Sequence, residues 1–108
     1  MANIALSESD PDVRNLLLIL LEGLGHETTA LNDANGIPAA ADLLVLEPAS
    51  SARLEQAQLA RRRNPALPII SMSYLHEAAL FLADGPLLHV EKPFTLAGFT
   101  EAVRAGLA

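Results

Sequence analysis

Four large aliphatic residues stand together at Leu43-Leu44-Val45-Leu46, entered from Asp42 and left through Glu47-Pro48. A short apolar run without period-two alternation predicts a strand buried on both faces, the central parallel strand of an α/β sheet. In such sheets ligands and chemistry collect just beyond the carboxyl ends of the strands, which puts Glu47 where a functional acid would stand. Upstream, Asn3 to Ser7 predicts a first strand, and Ser7-Glu8-Ser9-Asp10-Pro11 predicts a helix start with Ser9 or Asp10 as N-cap. Val13, Leu16, Leu17, Leu20, Leu21 and Leu24 then recur at helical spacing, and Gly25 ends the helix. Leu18 and Ile19 fall off that face and are expected to point to solvent, an adjacent apolar pair that marks a candidate interface.

His26 to Leu31, with two threonines, suits a second strand near an edge of the sheet. Between Gly36 and Asp42 there is room for only a turn or so of helix, so the second crossover helix is expected to be short. Ala49-Ser50-Ser51 can cap a helix over roughly 52–63, Pro68 to Ser73 is a fourth strand, and Tyr74 to Ala83 reads as an unusually apolar helix. Asp84-Gly85-Pro86 breaks it, Leu87 to Glu91 is a fifth strand, and Leu96, Phe99 and Val103 line the inner face of a last helix. Strands alternating with helices imply right-handed βαβ crossovers and a parallel sheet between helical layers.

Composition narrows the function classes. With 108 residues, 51% of them hydrophobic, the chain is expected to form a single domain over 1–108 with an ample core and no output domain. A net charge of -6 argues against nucleic acid as a partner, because phosphate neutralisation needs clustered cations. Arg61-Arg62-Arg63 is the one basic cluster, and before Asn64-Pro65 it reads as the C-terminal turn of a helix. The lack of cysteine removes disulfides, thiolate catalysis and cysteine-based zinc sites. No apolar run is long enough to span a bilayer and the N-terminus lacks a signal peptide's basic flank, so a cytoplasmic protein without membrane attachment is expected. His26 and His76 have no metal-ligand spacing.

The residues at the ends of the predicted strands resemble those of the response-regulator receiver family, the CheY-like domain of two-component signalling, over essentially the whole chain. Ile4-Ala5-Leu6-Ser7-Glu8-Ser9-Asp10-Pro11-Asp12-Val13-Arg14 resembles the first strand and acidic pair of that family, and Asp42 to Glu47 the strand carrying its phospho-accepting aspartate. Ser73 lies where the family has its switch hydroxyl, His89 at its aromatic switch position, and Val90-Glu91-Lys92-Pro93-Phe94 matches its Lys-Pro motif. The resemblance implies a three-layer α/β/α (βα)5 fold of the CheY-like, flavodoxin-like type, with a five-stranded parallel sheet and a shortened second helix.

It also implies a chemistry from which this chain departs. In the family the acidic pair and the acceptor aspartate hold one Mg2+, and metal and lysine offset the charge of the phosphoryl group. Here Glu8 and Ser9 occupy the acidic-pair positions, so one carboxylate is missing, and Glu47 stands at the acceptor position with its carboxylate carried one bond further out. Pro48 removes a backbone N–H beside it, and Tyr74 places a ring where the family generally keeps a small residue, narrowing the pocket. Taken without the resemblance, Glu8 is equally an acceptor for helix N-terminal N–H groups, Glu47 with Lys92 an ordinary ion pair, and His89 a half-exposed histidine or a pH sensor.

The resemblance therefore implies a pseudo-receiver: a receiver-like protein in phosphorelay signalling that is not an enzyme, has no catalytic residues, and acts by protein–protein interaction. Mg2+ binding is expected to be weak or absent, any residue of it falling to Glu8 and Glu47. The expected partner is another protein or a second copy, docking on the fourth helix, fifth strand and last helix, with Tyr74, Leu75 and Leu82 contributing, or on the first helix through Leu18 and Ile19. Two alternatives stand beside this reading: a working receiver phosphorylated by a histidine kinase at a non-standard residue, with Ser73, Ser7 and Asp42 as candidates, and a small-molecule sensor using the vacated pocket.

Overall fold

The run Leu43 to Leu46 forms a strand in which every residue is buried, because it lies in the middle of the sheet with a helical layer on each face. The computed structural model describes residues 1–31, 36–48, 50–73, 82 and 84–108. Among these the elements run β1 (Asn3–Ser7), α1 (Pro11–Gly23), β2 (Glu27–Ala30), β3 (Leu43–Leu46), α2 (Ser51–Arg63), β4 (Ile69–Ser73), β5 (Leu87–Glu91) and α3 (Leu96–Leu107). All neighbouring strands are parallel, in the order β2-β1-β3-β4-β5. The order reverses at β1 and β3, and ligands of open α/β sheets bind at such a switch point.

Two apolar layers cover the sheet. Ala5, Leu44, Leu46 and Ile69 meet Ala57 and Ala60 of α2, together with Leu31, Ile37, Leu67 and Leu82. On the other face Ile4, Leu6, Leu43, Val45, Ile70 and Met72 meet Leu17 and Leu21 of α1 and Phe99 and Val103 of α3. Alternate residues of each central strand thus serve opposite layers, as the two-residue period of a strand requires. Each fully buried side chain of this size stabilises by about 1.5–3 kcal/mol.

Capping residues fix where the helices begin at the site end of the sheet. Asp10, in extended conformation, accepts from the N–H groups of Asp12 and Val13 to start α1; Ser50 accepts from Arg53 N–H to start α2, and Thr95 from Gly98 N–H to start α3. Asp10 rather than Ser9 is therefore the N-cap, which leaves the Ser9 hydroxyl for another partner. Gly25, at φ +92°, takes the left-handed turn after α1 that an L side chain would resist.

The structure departs from three sequence expectations. Residues 36–41 form a turn rather than a short helix, so no second crossover helix is present among the described residues. On α1 the buried arc is centred on Leu17 and Leu21 and extends to Leu18, which packs against the core, while Leu16 is 44% exposed. The apolar face is thus rotated from the one read off the spacing, and Ile19 alone of the pair Leu18-Ile19 projects, 71% exposed. Leu82, expected on a docking surface, is fully buried against the α2 layer. Tyr74, Leu75 and His76, and the helix expected over 74–83 apart from Leu82, lie outside the described residues.

Candidate functional site

Glu8 and Ser9 follow the end of β1, Glu47 follows β3, Ser73 ends β4 and Lys92 follows β5, so parallel pairing brings all of them to one end of the sheet. Backbone bonds extend the ladder into this region: Glu47 N–H donates to Ser7 O at 2.8 Å and Lys92 N–H to Ser73 O at 3.0 Å. The backbone of the acid and of the lysine is consequently anchored to the neighbouring strand.

Glu47 is the centre of the cluster. Its Oε1 accepts from Ser9 Oγ at 2.5 Å, Ser9 N–H at 3.3 Å and Arg53 Nη1 at 3.3 Å, and its Oε2 accepts from Lys92 Nζ at 2.7 Å. Three of these donors converge on Oε1 and one, the lysine ammonium, on Oε2, so both oxygens are engaged. Lys92 Nζ also reaches Glu8 Oε1, 2.5 Å away, and therefore bridges the two acids. The side chain of Glu8 is wholly buried, and its Oε2 has no donor to accept from.

Each ionisation follows from these contacts. Burial, then a hydrogen bond to Glu47, pushes the Glu8 carboxyl up to about 7, against the pull of Lys92. Burial works to raise Glu47 as well, but is outweighed by hydrogen bonds from Glu8, Lys92 and Ser9, which hold it down at about 2. The Lys92 ammonium is favoured above its ordinary range: burial opposes the charge, and the bonds to Glu47 and Glu8 more than offset that. Two acids in one site thus part company, one staying ionised and the other readily taking a proton.

The residues as placed do not fit an octahedral Mg2+. Such an ion takes oxygen ligands at about 2.0–2.1 Å, and the oxygens facing the site, Glu8 Oε2 excepted, already accept from protein donors. Ser9 supplies a neutral hydroxyl where a hard cation favours a carboxylate, and its hydrogen is directed at Glu47. Among the described residues no group of three or more His, Asp or Glu side chains is arranged to hold a metal.

Of the other residues singled out in the sequence, Pro48 follows Glu47 directly, half-buried, and offers no N–H. Ser73 is half-buried at the end of β4. His89 lies further back, in β5 opposite Ser71 and two residues before the end of the strand. Asp42 sits at the start of β3, its Oδ2 accepting from Asn3 N–H, at the far end of the sheet from Lys92. His26 Nδ1 accepts from Ala2 N–H, a structural role. A cavity of about 870 Å³ opens at that far end among His26, Asp42, Pro68 and Pro86, away from Glu47.

Two arginines were not singled out by sequence reasoning. Arg53 belongs to no motif of the strand ends, yet α2 begins just after β3 and turns it back onto Glu47. Arg61, read only as a cation suited to a helix terminus, is buried: its guanidinium donates to Leu82 O at 3.0 Å, Pro86 O at 2.7 Å and Asp84 Oδ1 at 3.1 Å. The available signal was the helical spacing Arg53, Ala57, Ala60, Arg61, which puts both arginines on the inward face.

Comparison with solved structures agrees with this architecture. The non-phosphorylated HemR receiver domain of Leptospira biflexa superposes with a TM-score of 0.85 at 19% identity, covering 100% of this chain and 95% of that one. The fold is that of receiver domains. A response regulator receiver protein from Sinorhizobium medicae matches this receiver fold with a TM-score of 0.81 and 24% identity over 98% of the chain and 94% of its own length. Chemotaxis protein CheY4 of Vibrio cholerae matches at 0.81 and 16%, covering 99% of each chain. No family model matches the sequence. No curated protein matches it.

Proposed function

We propose that this protein is a pseudo-receiver in two-component signal transduction: a receiver-like module that takes up no phosphoryl group at Glu47 and acts by docking to another protein. The observation that carries this reading is the engagement of both oxygens of Glu47. A nucleophilic carboxylate must offer an uncommitted oxygen in line with the phosphoryl group, and here Ser9, Arg53 and Lys92 occupy both oxygens. Glu47 so held reaches toward Lys92 as a phosphorylated aspartate would, which supports a site fixed in one state. Weak or absent Mg2+ binding follows from the missing carboxylate at Ser9 and from the commitment of Glu8 and Glu47 to Lys92.

On this reading the protein has no catalytic residues, works in the cytoplasm, and meets a protein partner or a second copy through β5 and α3 or through the exposed side of α1 around Ile19. No helix among the described residues is long and apolar enough to cross a membrane. Intact-mass and peptide mass spectrometry after acetyl phosphate treatment tests the reading. It predicts no phosphoryl adduct; an adduct mapped to Glu47 or Ser73 would make the protein a working receiver.

A further inference from the structure

A buried acid, Glu8, and a half-buried one, Glu47, meet at this site with a cation already between them. Lys92 Nζ lies 2.5 Å from Glu8 Oε1 and 2.7 Å from Glu47 Oε2, and the side chains of Lys92, Glu8 and Glu47 are only 9%, 0% and 16% exposed. The Ser9 hydroxyl is turned onto Glu47. Glu8 Oε2, buried and without a partner, is an acceptor that the protein itself leaves unused. A pocket of this kind attracts cations, and a tethered ammonium competes at an effective concentration that a free ion must exceed.

We infer that Lys92 is the resident cation of this site: its ammonium takes the place between Glu8 and Glu47 that a divalent ion needs, and so keeps divalent ions out. This rests on the reading of the protein as a receiver-like module without phosphoryl transfer, and supplies the device that holds the site shut. The ammonium donates to both acids and offers no coordination position to a phosphoryl oxygen, whereas a divalent ion would. A second cation within about 4 Å of it meets strong like-charge repulsion in a partly buried setting, and Arg53, on the other side of Glu47, adds to that repulsion.

The probe is Mn2+, a divalent ion with oxygen preference that broadens amide resonances near it, added to the intact chain at about pH 8, above the value of about 7 at Glu8. Lys92→Gln removes the charge and keeps a hydrogen-bonding side chain, shorter by one bond. The expected result is broadening of the Glu8, Ser9 and Glu47 amides in Lys92→Gln at a concentration at least about tenfold lower than in wild type. Equal broadening in the two proteins, or a folded Lys92→Gln that shows none, overturns the inference. Should Lys92→Gln fail to fold, the wild-type Lys92 ammonium resonance gives the answer: persistence unchanged through millimolar Mg2+ supports the resident cation, and its shift or loss overturns it. Mn2+ binding by wild type without phosphoryl uptake from acetyl phosphate overturns the resident cation alone. Phosphoryl uptake overturns the functional reading, whatever Mn2+ does.

Discussion

The Ser9 hydroxyl donates to Glu47 Oε1 across 38 residues of sequence at 2.5 Å, so the residue that costs the site a carboxylate also fixes the carboxylate that remains. A serine here does not merely fail to bind metal. It helps to hold Glu47 ionised and oriented. Ser9→Ala is expected to raise the Glu47 pKa above about 2 and to cost on the order of 1 kcal/mol, read by carboxyl 13C titration and by urea unfolding.

The opposed shifts of the two acids give stability a maximum in mildly acidic solution. Glu47, depressed from 4.5 to about 2, contributes stability that is present above 4.5 and lost as pH falls toward 2. Glu8, raised from 4.5 to about 7, binds a proton in the folded state that the unfolded chain has released, so its contribution is full below 4.5 and lost as pH rises to 7. Glu8→Gln should flatten the descending limb between 4.5 and 7, leave the acid limb in place, and stabilise the protein at neutral pH by on the order of 1–2 kcal/mol after solvent screening. Urea unfolding across that range checks it; an unchanged descending limb would show that another group is responsible.

Arg61 joins α2 to the segment entering β5. Arg61→Ala takes the guanidinium's hydrogen bonds from Leu82 O and Pro86 O, of which Pro86 O keeps that from Ile69 N–H, and opens a hole beside Gly85, where the guanidinium lies close enough that a Cβ would collide with it. The expected loss is about 2–4 kcal/mol. Arg61→Lys should recover only part of it, because an ammonium lacks the planar fork that reaches both carbonyls. Denaturant unfolding of the three proteins measures the difference, and full recovery by lysine would contradict this account.

Neighbouring leucine-type residues of α1 should behave in opposite ways. Leu17→Ala empties a fully buried position and is expected to cost about 2–5 kcal/mol. Ile19→Glu, at a position 71% exposed, should change stability by no more than about 0.5 kcal/mol. If sedimentation or partner binding changes in Ile19→Glu while stability does not, the outer side of α1 is an interface.

Much of this architecture was legible in the sequence because burial on both faces and strand-end chemistry leave strong local marks. Leu43 to Leu46 announces β3 with no help from context, and the limits of β1 and β5 are set by polar and proline residues at their ends. The gathering of Glu8, Ser9, Glu47 and Lys92 follows from parallel topology once the strands are placed. The rotation of α1 was not legible, since Leu16 and Leu18 flank the buried line symmetrically and only packing against α3 and the sheet decides between them. Nor were the partners of Arg53 and Arg61: the helical spacing puts both on the inward face, but which groups they reach is decided only by how α2 packs on the sheet.

The central claim is that Glu47 sits in a site closed to phosphoryl chemistry, and it is tested most directly by an amide NMR titration with Mg2+ followed by beryllofluoride, a phosphoryl mimic that needs aspartate and metal. Wild type and the double variant Ser9→Asp, Glu47→Asp are measured side by side. The account predicts no saturable shifts in wild type and shifts around positions 9, 47 and 73 in the double variant, where the missing carboxylate and the shorter acceptor are restored. Saturable shifts at Glu47 and Ser73 in the wild-type protein would contradict it.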